Sequence, residues 1–326
     1  MDYENKFDHQ EPHYFLKRKD ILSVLDDFSL NHIRDIEYLS GGYSNINVKF
    51  STKDKQPLVL RISNKSQRQF ETEIAILKAV KNKIIVPTVY DYKINHSLLN
   101  RHVAILEFLP GTPLNTVEAS LAPEDIKIIA QQLGKILAEI HKFSFDKSGF
   151  LGKKFNVVDP FISFHESCYN YFENYLENKL LIQRIGVEEL QRLRSLILKN
   201  DSKIRKLTNV SSLVHSDFNQ KNILVDKRSK KWEITGILDW EFSFSGSPLI
   251  DFGNFFRFER EMHKDYKPVL IKSYRQHDGC LKLDWQQSAK ILDLLSLLEF
   301  LTRKGNYPKT FTTAKTAISS TISDLL

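Results

Sequence analysis

The sequence predicts an α+β fold in two lobes, a small β-rich N-terminal lobe and a larger, mainly helical C-terminal lobe. Three observations carry this. Short apolar runs with strand character crowd between residues 33 and 106, enough for five strands. Apolar residues at helical spacing dominate the remainder of the chain, starting with Ile128, Ile129, Leu133, Ile136, Leu137 and Ile140 on Pro123 to His141. The 326 residues suffice for two compact parts, each with its own core. The β-rich lobe is placed at 1–106 and the helical lobe at 112–326, with 107–111 joining them.

Taken in order, residues 1 to about 32 read as a helical extension, with Phe28 and Leu30 apolar before the first strand. Leu39 to Phe50 reads as strand, tight turn, strand. Gly41 and Gly42 allow close backbone approach to a ligand, and Ser44 and Asn45 could face phosphate oxygens. A plain hairpin turn is equally served by Gly-Gly, and no Walker loop is present. Along Pro57 to Ser63, alternation puts Val59 and Arg61 on one face. Val59 could lie against a nucleotide base and Arg61 beside its phosphates, where a planar guanidinium fork suits them; an exposed strand arginine is the plainer alternative. Ser66 to Lys81 comes next as a helix striped by Ile74, Leu77 and Val80. After the strands Thr88 to Ile94 and Val103 to Leu109, Pro110-Gly111 ends the β-rich part. His141 is expected only to end its helix and pack. Phe161 to Lys179 is rich in aromatics, which suits core packing better than a substrate wall. Ile291 to Leu301, interrupted by Asp293 and Glu299, reads as a packed helix.

The chemistry concentrates in His215-Ser216-Asp217-Phe218-Asn219-Gln220-Lys221-Asn222 and in Gly236-Ile237-Leu238-Asp239-Trp240. Leu213-Val214 and Ile223-Leu224-Val225 read as short buried strands, and Trp232 to Leu238 as a returning strand after the polar turn Lys227 to Lys231. Asn222 and Asp239 therefore fall at the open end of a hairpin, with Asp217 on the loop leading into it. Asp217 can orient or deprotonate a hydroxyl, while Asn222 and Asp239 offer hard oxygen ligands to Mg2+, which needs only one or two protein oxygens beside phosphates and water. Each residue alone would pass as a turn cap; the combined spacing favours phosphoryl transfer. His215 reads as a residue holding the loop by hydrogen bonds. Ser216 lacks the Gly-x-Ser-x-Gly elbow of a hydrolase nucleophile.

On these residues the chain resembles the aminoglycoside phosphotransferase and choline kinase-like family, which has the protein-kinase-like fold. The likeness is centred on Leu213 to Arg257 and reaches back to about Leu39. It implies an ATP-dependent (or GTP-dependent) small-molecule kinase binding nucleotide between two lobes. By resemblance Asp217 is the catalytic base, Asn222 and Asp239 bind Mg2+, and Asp251 braces the catalytic loop. Glu73 takes the position of the glutamate that pairs with Arg61, with Glu71 left open, and backbone near Glu107 and Leu109 serves the adenine edge. The triplet Asp251-Phe252-Gly253 spells the metal motif of protein kinases but falls after Asp239 has filled that position.

The acceptor is read less directly. An aminoglycoside-like antibiotic leads, which would make the chain a resistance enzyme. A metabolite alcohol (choline-like, homoserine or sugar) is the alternative, and a non-catalytic pseudokinase the rival from another class. Ammonium groups need acidic partners, for which the candidates are Glu241, Glu259, Glu261 and, farther on, Asp293 and Glu299; Arg257 and Arg260 interrupt that acidic run.

Composition bounds the rest. Hydrophobic residues make up 41% and charged residues 27%, as in an ordinary globular protein. Met1 to Asp20 carries no apolar signal region, no run approaches a membrane span, and two cysteines without metal spacing point to the cytoplasm. A net charge of +7 raises nucleic acid as a partner, but the basic residues are dispersed and without a recognition motif, so none is expected. The expected partner is a small-molecule hydroxyl acceptor, with monomer and homodimer both open.

Overall fold

The computed structural model describes residue 8 and residues 16–39, 45–53, 57–207 and 210–326. The chain divides into two compact units. The N-terminal unit is His9–Pro110 with Gly152–Phe155; the C-terminal unit is Gly111–Leu151 and Asn156–Leu326 with Met1–Asp8.

In the N-terminal unit, strands β1 (Arg34–Tyr38), β2 (Asn45–Ser51), β3 (Pro57–Ser63), β4 (Val89–His96) and β5 (Arg101–Glu107) form one sheet in the order β1-β2-β3-β5-β4. Every pairing is antiparallel. The alternation on β3 works as the sequence requires. Leu60 and Ile62 face a core that includes Ile21, Val24 and Leu25 of helix α1 (Arg18–Asp26). Val59 faces the other way, against Phe70 and Ile74 of α2 (Gln67–Val80). Ser66 starts α2 with a capping box, its hydroxyl accepting from the Gln69 N–H while the Gln69 side chain accepts from the Ser66 N–H. Of the helical extension expected over residues 1 to about 32, the described residues hold helix at Arg18–Asp26, and it ends before Phe28. Phe28 and Leu30 come after it and pack on the same core.

The C-terminal unit opens with β6 (Thr112–Pro113), α3 (Leu114–Val117), α4 (Pro123–His141), β7 (Gly149–Leu151) and β8 (Val157–Pro160). Helices α5 (Phe164–Leu176), α6 (Lys179–Ile185), α7 (Val187–Lys199) and α8 (Asp201–Arg205) come next, before β9 (Ser212–Val214), β10 (Ile223–Arg228), β11 (Lys231–Ile237) and β12 (Phe244–Gly246). Helices α9 (Leu249–Phe255), α10 (Tyr266–Gln276), α11 (Trp285–Thr302) and α12 (Pro308–Leu325) complete it. Phe164 and Phe172 of the aromatic stretch are buried in the main core beside Leu294 and Leu298 of α11, so that stretch packs as expected. Helices α4 and α10 pack at Gly134, where a Cβ would stand 2.3 Å from the Leu270 carbonyl oxygen; any side chain there would force them apart.

Two small sheets position the site: β8-β7-β12-β9, and β11-β10-β6. The β10–β11 hairpin turns on Ser229 and Lys230, both at positive φ (48° and 68°), as a two-residue turn matched to strand twist demands. The turn is tighter than the polar segment Lys227 to Lys231 suggested, because Lys227 and Arg228 are still paired with Trp232 and Lys231.

Candidate active site

The loop from Ser216 to Asn222 carries Asp217, and its shape is set by amides. Asn219 Nδ2 donates to Asp217 Oδ1 at 2.8 Å and Asn222 Nδ2 to Asp217 Oδ2 at 2.9 Å. Both amides also donate to the Asp217 backbone carbonyl, at 3.1 and 2.9 Å. Asn219 in turn accepts from the Lys221 N–H, starting the short 3-10 turn Gln220–Asn222. Asp217 is half-buried, and burial raises its carboxyl above the ordinary aspartate value, against the lowering pull of His215, Asn222 and Arg257.

Behind the loop lies a brace. Asp251, fully buried in the first turn of α9, accepts the His215 N–H at 2.9 Å and the Ser216 N–H at 2.8 Å, one on each oxygen. Ser216 has φ 66°, a conformation these paired bonds hold in place. His215 Nε2 donates to the Leu238 carbonyl at 2.9 Å, and Nδ1 accepts the Asp217 N–H at 3.3 Å, so one imidazole ties the loop to the end of β11. Burial lowers its proton affinity, which suits this neutral tautomer. The Trp240 ring lies 4.7 Å from the His215 ring, tilted by 52°, and its N–H donates to the Ile237 carbonyl.

Asn222 and Asp239 lie at the open end of the hairpin. The Leu238 N–H donates to the Asn222 carbonyl at 2.8 Å, so Asp239 comes directly after the residue paired with Asn222. Asp239 is half-buried with φ 66°. The Asn222 amide nitrogen is engaged by Asp217, which leaves its side-chain oxygen as the atom able to ligate a cation. Among the described residues no group of three or more His, Cys, Asp or Glu could hold a metal. The donor set here is one amide oxygen and one carboxylate, which fits magnesium sharing its shell with phosphates and water. Asp251, with both oxygens accepting backbone N–H groups, is a brace by its contacts.

In the N-terminal unit Arg61 pairs with Glu73, and its Nε donates to Asn47 at 3.2 Å. Glu71 instead accepts from Gln67 and lies 3.9 Å from Lys153. Val59 is buried on the face it shares with Arg61, and Asn45 is buried at the start of β2. Glu107 ends β5, its carboxylate accepting the Thr88 N–H, and Leu109 is half-buried beyond it. Gly41, Gly42 and Ser44 lie outside the described residues.

The acidic acceptor candidates do not form a free anionic wall. Glu259 is clamped by Lys267 (2.6 Å) and Lys290 (2.9 Å), Asp293 by Arg257 (2.6 Å), and Glu299 by Arg303 (2.7 Å). Glu261 is exposed and Glu241 half-buried. The basic residues are carried by the same helices or their neighbours, and each neutralises the carboxylate it touches.

Sequence reasoning missed three contributors, Asn219, His141 and Tyr274. Asn219 sits two residues after Asp217, and its side chain was legible only as a turn former. His141 does more than pack: Nε2 lies 3.1 Å from Asp251 Oδ2 and Nδ1 3.0 Å from the Tyr274 hydroxyl. His141 and Asp251 are 110 positions apart, so no local pattern announces the contact.

Known proteins share this architecture. Residues 35–289 match the family model APH, the phosphotransferase enzyme family. The crystal structure of aminoglycoside phosphotransferase APH(4)-Ia is similar with a TM-score of 0.72 at 14% identity, covering 94% of this chain and 99% of that one. A thermostable mutant of it has been solved with ADP and hygromycin B. The GDP and kanamycin complex of APH(2")-IIia is similar with a TM-score of 0.68 at 13% identity, covering 95% of this chain and all of that one. Over 217 residues the chain is 24% identical to acyl-CoA dehydrogenase family member 10 of Mus musculus, 64% of this chain and only 19% of that protein's length.

Proposed function

The chain belongs to the phosphotransferase enzyme family, and we propose that it moves the γ-phosphoryl group of ATP or GTP to a hydroxyl of a small molecule. The observation that carries this is the fixing of Asp217. Four amide hydrogen bonds from Asn219 and Asn222 set the carboxylate and its carbonyl, and Asp251 sets the backbone behind them. A carboxylate so oriented can align an alcohol and take its proton as the oxygen–phosphorus bond forms and the bond to the nucleoside diphosphate breaks. Positioning and electrostatics suffice for a loose transition state.

Asn222 and Asp239 would hold Mg2+, which when bound neutralises charge on the nucleotide phosphates. Arg61, fixed by Glu73 and Asn47, would offer its guanidinium to phosphate, and backbone at Glu107 and Leu109 would serve the base. The resemblance supports these roles residue by residue. The solved neighbours bind ADP or GDP with hygromycin B or kanamycin, and aminoglycosides are the acceptors they suggest. Such polycations would meet carboxylates that Arg and Lys of this chain already neutralise, which leaves a less charged alcohol as the second reading.

The test is transfer of radiolabelled phosphate from ATP and GTP to a panel of hydroxylated antibiotics and metabolites, beside a thermal-shift series with each nucleotide and Mg2+. Asp217→Ala should lose transfer while keeping the nucleotide shift. Equal turnover in that variant ends the role assigned to Asp217.

A further inference from the structure

A cavity of about 390 Å³ opens in the C-terminal unit among α9, α11 and α12. Phe252 and Gly253, which come directly after the brace Asp251, line it, as does Arg257 just beyond α9. Asp251 holds the backbone of His215 and Ser216, directly before Asp217, so this end of the cavity adjoins the catalytic loop. Phe256 and Trp285 supply aromatic surface, and Thr316 and Ser320, one turn apart on α12, supply hydroxyls.

The charges around this space cancel. Its lining holds four cations, Arg257, Arg260, Lys267 and Lys290, and four carboxylates, Glu259, Glu261, Asp293 and Asp324. Three of those carboxylates are tied in one pattern. Asp293 takes a bidentate clamp from Arg257, at 2.8 and 2.6 Å. Glu259 binds Lys267 and Lys290, and Asp324 binds Lys290 (2.8 Å) and Arg260. The Lys267 ammonium also lies 5.9 Å from the Phe256 ring centre and 5.7 Å from that of Trp285. An ammonium-bearing guest would have to displace one of these internal cations, and a carboxylate guest one of the anions. Either exchange leaves a half-buried charge without its partner. Only an uncharged guest leaves the network intact.

We propose that the acceptor entering this cavity is an uncharged, hydroxyl-bearing compound with an apolar body. This rests on the kinase reading and narrows its substrate class. A matched series tests it: 1,6-hexanediol, 6-amino-1-hexanol and 6-hydroxyhexanoate share one chain and one hydroxyl and differ only in the far end group. Binding is measured by ligand-observed NMR without nucleotide, and phosphorylation with MgATP separately. The diol is expected to bind about tenfold better than either charged member, ~1.4 kcal/mol, and kanamycin weakly. Lys290→Met removes the cation shared by Glu259 and Asp324, so it should raise amino-alcohol binding several-fold and leave the diol unchanged. A wild-type preference for the amino alcohol or kanamycin, binding of none of the series, or an order untouched by Lys290→Met overturns the proposal. Failure of the kinase reading shows differently, as no Mg2+-dependent nucleotide shift and no transfer to any acceptor while the binding order stands.

Discussion

The C-terminal unit treats its two sets of carboxylates in opposite ways. Around the catalytic loop, Asp217 and Asp251 are held chiefly by uncharged donors, the amides of Asn219 and Asn222 and the N–H groups of His215 and Ser216. Around the α9–α12 cavity, Glu259, Asp293 and Asp324 are each held by arginine or lysine. Burial raises the proton affinity of Asp217, and its neutral donors fix its direction without supplying a full opposing charge, so it can act as a base. Cationic partners keep a carboxylate occupied, which suits a wall and not a reagent.

The largest effect that could break this contrast is catalytic. Asp217→Ala is expected to lower kcat by at least about 10³-fold, within the range for a positioned general base. Asp217→Asn should be similarly inactive, and it gives up one of the two oxygens that accept from Asn219 and Asn222. Ionising Asp217 costs more in the folded than in the unfolded chain, since its folded value is raised. That penalty is full above the folded value and gone below the unfolded one. The stability lost in Asp217→Asn should therefore be smallest at neutral pH, where the wild type carries that penalty, and should grow as the pH falls towards 4; melting curves showing the loss largest at pH 7 would contradict the account.

Next come the buried supports, where removal should cost stability outright. Asp293→Ala leaves Arg257 buried without its clamp, with about 3 kcal/mol lost in denaturant titration. Asp251→Asn gives up one of two oxygen acceptors holding His215, Ser216 and His141, costing about 2–3 kcal/mol and reducing kcat as well. Had Asp251 been a metal ligand instead, the loss would fall on Mg2+ affinity with stability spared.

A smaller effect sharpens the comparison on the nucleotide side. Arg61→Met should weaken nucleotide binding about tenfold, ~1.4 kcal/mol, measured by calorimetry with ADP. The pH profile is the next check: the acid limb of kcat/KM should lie above 3.8, the ordinary aspartate value, because burial raises Asp217. At the bottom, Glu299→Gln removes a half-exposed ion pair with Arg303 and should change stability by under about 0.5 kcal/mol.

The sequence read well where the cause was local. Alternation on Pro57–Ser63 placed Val59 and Arg61 on one face because successive strand side chains must point to opposite sides. Helical spacing found α2 and α4 for the same kind of reason. The His215–Asn222 spacing located the loop, since few contexts besides phosphate chemistry join these side chains to a hairpin ending in Asp239-Trp240. Where partners came from distant segments, spacing was silent. It left Glu71 and Glu73 both open for Arg61 and did not show the lysines and the arginine that pair with Glu259 and Glu299.

What the chain's own order of residues determined is the set of reagents: a carboxylate, an amide and a second carboxylate strung along one loop and hairpin, in a fold that separates strands from helices. Only the folded structure decided their state. The burial that raises Asp217, the His141–Asp251 contact spanning 110 residues and the lysines that silence Glu259 all depend on which surfaces meet. Hydrogen bonding and charge compensation act over a few ångströms of space, whatever the distance along the chain.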